Sequence, residues 1–131
     1  MMKIDKLNYV DIAEDVVKNK LMKDKYKPDQ NVLTTNQIRN VLDLTNELYD
    51  MVRTVPEETL SEEVLTHIQY VRMKLVYAAA RDNTVKDLMN KSGLLDELKA
   101  VGNSRDQLIL VCRYAESLVA FHKYYPHPRE N

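Results

Sequence analysis

The chain has 131 residues, 44% of them hydrophobic and 30% charged, with two glycines and four prolines. That balance suits one domain with a real core and excludes a disordered, collagen-like or loop-rich β-sandwich chain. With 19 basic against 20 acidic residues the net charge is −1, so the global basic excess of a free-standing nucleic-acid binder is missing.

The start, MMKIDKLNYVD, has no apolar h-region, and no apolar run approaches the ~18 residues of a membrane span. The chain therefore reads as cytoplasmic, with no membrane partner. In YVDIAEDVVKNKLM, Val10, Ala13, Val17 and Leu21 recur at helical spacing and predict a first helix near 9–22. KDKYKPDQN, with Pro28 and Asn31, then predicts a solvated, flexible linker, so residues 1–31 read as an N-terminal helix and linker.

Residues 32–125 read as a helical bundle. Thr34 with Gln37 three positions on is a capping box, and Ile38, Val41, Leu42, Leu48, Tyr49 and Val52 mark one apolar face up to Pro56. Arg39, Asn46 and Arg53, seven apart, share a neighbouring edge. A third helix starts at a Thr59 or Ser61 cap and runs to about Asp82, with Val64, Ile68, Val71, Leu75 and Ala79 facing inward. Two short helices follow, in TVKDLMNKSG and LLDELKAVG, stopped by Gly93 and Gly102. Ser104 and Gln107 form a second capping box. Beyond it Leu108, Ile109, Leu110, Val111, Cys112, Leu118, Val119 and Phe121 leave one polar sector, holding Arg113, Glu116, Ser117 and Lys123. A helix apolar on most sides is a bundle's central one. The fold expected is all-α, a compact bundle of about five helices with the long C-terminal helix central, and a disordered tail at 126–131.

One stretch carries more than packing. In YVRMKLVYAAARD, Tyr70, Lys74, Tyr77 and Arg81 fall on a stripe about 60° wide at ~100° per residue, ~120° around from the inward face. Such a stripe suits a helix flank, with rings on the core edge and solvated cations. It equally suits a surface that holds phosphates with cations and sugars or bases with rings.

Catalytic chemistry is absent from the pattern. His67, His122 and His127 are scattered, there is no HExxH or Cys/His cluster, and two glycines cannot build a phosphate cradle. Carboxylates sit at pair spacing with cations, as in Arg39–Asp43 and Asp50–Arg53, and His122 reads as a packed core-edge histidine. Cys112 alone cannot form an intramolecular disulfide and reads as a buried, inert thiol. No cofactor or metal is called for.

LTTNQIRNVLDLTNELYDMV, YVRMKLVYAAARD and YAESLVAFHKYY together resemble the small, all-helical subunit of type III-A (Csm-type) CRISPR effector complexes. The family pattern is an LT-T-x-x-[IL]-R helix start, a K-[LF]-x-Y-x-A-x-R segment and a C-terminal E-[AS]-[LI]-V-A-[YF]-x-K-Y-Y. Here these are Leu33 to Arg39, Lys74 to Arg81 and Glu116 to Tyr125. The resemblance implies a bundle with no activity of its own. It implies copies stacked beside backbone subunits that carry CRISPR RNA, lining the groove where guide and target RNA pair, with the large subunit among the partners. Arg39, Lys74, Tyr77, Arg81 and Lys123 match motif positions; Arg53, on the same α-helical edge as Arg39, joins them as an RNA-binding candidate. The sequence departs from the pattern at Ala80, where glycine is common, and at Phe121 and His122, where a tyrosine and a small residue are common. An RNA-free helical adaptor or scaffold that binds protein is the alternative, and an enzyme a third, disfavoured one.

Overall fold

The computed structural model of the chain describes residues 4–21 and 33–125; the linker expected over 23–31 and the tail expected at 126–131 lie wholly outside these. Among the described residues the order is α1 (Tyr9–Asp15), a π-helical segment (Val16–Leu21), α2 (Thr35–Val52), α3 (Glu62–Arg81), α4 (Asn83–Ser92), α5 (Leu94–Lys99) and α6 (Arg105–Tyr124). The fold is all-α. A single antiparallel bridge, Thr59 to Ser104, is the only extended pairing among these residues.

Local chemistry sets the helix starts. Thr34 accepts from the Gln37 N–H at 3.1 Å while the Gln37 side chain accepts from the Thr34 N–H at 2.9 Å, so the expected box closes. Ser61, not Thr59, caps α3, its hydroxyl accepting from the Val64 N–H at 3.3 Å. Thr59 lies instead in the bridge, where Leu60 donates to the Asn103 carbonyl at 2.8 Å and Arg105 to the Glu58 carbonyl at 2.9 Å. The second box closes on one side only. Ser104 accepts from the Gln107 N–H at 3.1 Å, but its own N–H already donates to the Val101 carbonyl at 3.2 Å. Gly93, at φ +68°, ends α4 in the left-handed region that its missing Cβ permits, so α5 starts at once in a new direction.

The inward face expected of α3 is the one observed: Val64, Ile68, Val71, Leu75 and Ala79 are all buried. On α2, Ile38, Val41, Leu48 and Val52 are buried, whereas Leu42 and Tyr49 sit at the edge. Thr45 takes a core place, its hydroxyl bonded to the Leu42 carbonyl at 3.0 Å. The first helix differs from expectation. Val10 is 44% exposed, because it lies in the first turn of α1, ahead of the buried residues Ala13, Val16 and Val17. Lys91 closes this segment, donating to the Lys20 carbonyl at 2.9 Å while pairing with Asp87 at 3.0 Å.

The long C-terminal helix α6 is the bundle's axis, packed against α1, the π segment, α2 and α5. Leu108, Val111, Cys112, Tyr114, Ala115, Leu118 and His122 are buried on it. Tyr114 is fully buried because its hydroxyl finds the Ser92 carbonyl at 2.7 Å, which meets the polar demand of its ring. Val119 is only partly buried, since Leu118 and His122 hold the side nearest the core. At the end of α6 the Tyr125 hydroxyl donates to Glu14 at 2.6 Å; this bond, above all, raises the phenol's pKa to about 12.

Leu75→Ala should lower stability by about 2–5 kcal/mol in urea denaturation, through the cavity it leaves in a fully buried site. Lys74→Ala, one position away and exposed, should leave the urea midpoint unchanged. A second expectation concerns Cys112, whose thiol burial pushes up to about 12 and whose S–H donates to the Thr45 carbonyl at 3.4 Å. Thiol-reactive dye at neutral pH should label it slowly in the folded protein and rapidly in denaturant.

Candidate nucleic-acid interface

An uninterrupted 20-residue α3 makes the stripe a physical column. Tyr70, Lys74, Tyr77 and Arg81 are all exposed, the two rings by 46% and 61%. Lys74 Nζ lies 5.9 Å from the Tyr70 ring centroid and Arg81 Cζ 5.7 Å from that of Tyr77, both within cation–π reach. The His67 ring packs tilted against Tyr70, centroids 5.5 Å apart, and bonds Glu47 of α2 at 2.8 Å, which ties the foot of the column to the next helix. The rings thus stand outside the core edge and remain accessible from solvent.

Two hydrogen bonds bring further cations to the same end of the bundle. The Thr84 hydroxyl donates to the Gln37 side chain at 2.9 Å, which sets the first turn of α2, with exposed Arg39, beside the α3–α4 junction that follows Arg81. The buried His122 ring donates through Nε2–H to the Leu33 carbonyl at 2.8 Å, which sets the last turn of α6, with exposed Lys123, beside the start of α2. Arg39, Arg81 and Lys123 therefore share one end, and Lys74 lies two turns along α3 from it. Arg81 and Lys123 also complement the negative C-terminal ends of their own helices, a purely structural role for the same charges.

Arg53 is not in this group. It caps the far end of α2, about 27 Å along an 18-residue helix. There it lies 3.8 Å from Asp50, and its carbonyl accepts from Arg105 at 3.2 Å. Arg105 also donates to the Val52 carbonyl at 3.0 Å. Glu57, Glu58, Glu62, Glu63 and Asp106 crowd this end. The crowding is felt by Glu58, whose pKa is raised chiefly by a hydrogen bond with Asp106. Carboxylates thus gather at the end that holds Arg53 and Arg105, whereas Arg39, Arg81 and Lys123 lie at the other, with Asp82 and Glu14 near them.

Two features went unread in the sequence. Met73 and Val76 on α3 are 57% and 53% exposed although apolar. Their signal was available, since both fall on the side of α3 away from its inward face. Arg113 lies over Tyr49 at 4.9 Å and donates to its hydroxyl at 2.9 Å and to Glu116 at 3.2 Å, edging a cleft of about 190 Å³ between α2 and α6. That cross-helix pair has no counterpart in local spacing. Among the described residues no three His, Cys, Asp or Glu side chains gather as a metal site, and no helix is long and apolar enough to cross a membrane.

The fold is that of a small all-helical bundle with Tyr70, Lys74, Tyr77 and Arg81 exposed along one flank of α3. The chain belongs to the Csm2 family of type III-A CRISPR systems: the family description Csm2 Type III-A matches residues 9–127. It is 38% identical over 118 residues to the CRISPR system Cms protein Csm2 of Streptococcus thermophilus, covering 90% of this chain and 91% of that one. The protein of the same name from Mycobacterium tuberculosis (strain ATCC 25618 / H37Rv) is 39% identical over 92 residues, covering 70% and 74%. That of Enterococcus italicus is 35% identical over 98 residues, covering 72% and 69%. The chain is accordingly a small subunit of a type III-A CRISPR effector.

Proposed function

We propose that this subunit lines the guide–target RNA groove of its effector and grips RNA backbone without sequence preference, contributing no catalytic group. Arg39, Lys74, Arg81 and Lys123 supply charge to phosphates, and Tyr77 offers a ring to sugars or bases. The observation that supports this reading is the exposed Lys74, Tyr77 and Arg81 column of α3, with Arg39 and Lys123 beside the end of the bundle where α3 finishes. In an RNA-guided effector base pairing reads the sequence, so backbone and shape are all the protein must recognise. A near-neutral chain suffices if several copies each give a few contacts. The partners on this reading are CRISPR RNA, target RNA, the backbone and large subunits and neighbouring copies, in the cytoplasm. A protein-binding adaptor without RNA contact is the second reading, favoured by the exposure of Met73 and Val76.

The isolated protein should bind single-stranded RNA weakly, with log K falling against log salt by about 0.7 per phosphate contacted. Arg81→Ala should weaken this binding several-fold and Arg53→Ala hardly at all, because Arg53 sits among carboxylates. Salt-independent binding, or equal effects of the two variants, would remove the basic end from the RNA path.

The assembled complex gives the decisive measurement. Lys74→Ala with Arg81→Ala should leave assembly intact, since both side chains are exposed, and should weaken target RNA capture. Each lost charge-assisted contact is worth about 1.5–3 kcal/mol before solvent screening reduces it. The cleavage rate at saturating RNA should persist. Unchanged affinity counts for the adaptor, and a collapsed saturated rate with intact affinity counts for a catalytic role.

A further inference from the structure

Just past Lys123, α6 ends on two rings that phosphate contacts do not use. Tyr124 is 75% exposed, whereas Tyr125, one position on, is half-buried. The two rings meet at 77°, with centroids 5.0 Å apart. In such an edge-to-face contact one ring presents its rim, so Tyr125 covers at most one face of Tyr124 and leaves the other open. Tyr125 is itself held in place. Its hydroxyl donates to Glu14 of α1 at 2.6 Å, and its ring lies near-parallel to that of Phe121, centroids 6.4 Å apart. Tyr124 is therefore braced against a ring tied to two helices, while most of its own surface stands in water. Burial accounts for Phe121 and Tyr125 but not for Tyr124.

Cations flank the pair. Lys123 is exposed at the preceding position, and Lys18 of the π segment lies over Tyr125, its Nζ 5.8 Å from the ring centroid. The same turn lies at the end of the bundle that holds Arg39 and Arg81. One turn back from Tyr124, Ala120 offers only a methyl, so no broad apolar strip runs on from the ring as a protein contact would need. An open aromatic face with ammonium groups beside it suits a nucleotide, base on ring and phosphate on cation. We propose that Tyr124 is a stacking platform for one unpaired RNA base, a site separate from the backbone contacts of Lys74 and Arg81. Inside a duplex both faces of a base are covered by its neighbours, so the ring takes a nucleotide that is single-stranded or splayed out. Every base has such a face, and the site is tolerant of sequence. The inference rests on the RNA reading and adds to it a preference for single strands, which phosphate contacts alone do not give.

Fluorescence anisotropy of a short labelled oligouridylate with the full-length protein tests it, beside the same strand made without bases. Tyr124→Ala should weaken binding of the oligouridylate by at least about fivefold, the low end of what one stacked base contributes. Tyr124→Phe should keep wild-type affinity, because it keeps the ring, and Tyr124→Leu should not. On the abasic strand wild type and Tyr124→Ala should bind alike, since only phosphate contacts remain. The chain has no tryptophan, so Tyr124→Trp supplies a single indole at the site. Its emission should be quenched by the oligouridylate and left unchanged by the abasic strand or a long RNA duplex. Equal affinity of wild type and Tyr124→Ala for the oligouridylate would overturn the platform and leave the RNA reading standing. An equal loss on both strands would mean that Tyr124 only props the helix end and Lys123, and would overturn it as well. Full oligouridylate affinity in a Tyr124→Ala protein that is lost from the assembled effector would make the ring a protein contact instead. Wild type that binds neither strand would remove the RNA reading, and the platform with it.

Discussion

The hold of α6 on α2 organises the rest of the molecule. Near the first turn of α6, Arg105 donates to the terminal carbonyls of α2, and near its last turn His122 donates to the Leu33 carbonyl just before α2 begins. Midway, the Cys112 thiol meets the Thr45 carbonyl. The His122 and Cys112 contacts lie in the buried interior, where a missing partner leaves a desolvated carbonyl exposed to the full cost of burial. These contacts fix the antiparallel register of the two helices, and the surface follows from that register. Lys123 comes to lie by the start of α2 and Arg53 by the start of α6 because the helices cannot slide.

Charge is sorted by the same register. The carboxylates after α2 and at the start of α3 meet Asp106 at the start of α6, since α3 and α6 begin at one end. Arg81 and Lys123 finish those helices at the other end. Arg81 and Lys123 favour their helix C-termini on grounds of local electrostatics alone. Lys74 does not, as it lies mid-helix beside an exposed ring, and no demand of the fold accounts for it.

Most of the fold was legible because helical period and capping are local. The α3 face and the Thr34 box were read from spacing alone, and the family pattern in three segments carried the identification. What escaped needed a neighbour. Val10 was placed inward by the helical period, but it stands in the first turn of α1, ahead of the residues the other helices cover. The Ser104 box failed on one side because Val101, in a turn, claimed the amide first. Tyr114 was not among the residues assigned to the apolar face, although the Ser92 carbonyl makes a fully buried site for its hydroxyl. Arg53 shared an edge with Arg39 along α2, but an edge carries no information about which residues of other helices crowd each end. Met73 and Val76 were visible as apolar letters on the wrong side of the helix, a conflict between pattern and burial that marks contact rather than core.

The separation of charge has a mechanical consequence. On the proposed RNA reading, a body with net charge −1 gains little from overall attraction to a polyanion, so the placement of Arg39, Arg81 and Lys123 at one end would act on how the subunit turns. Orientation, rather than attraction, is then what electrostatics would supply to an arriving subunit.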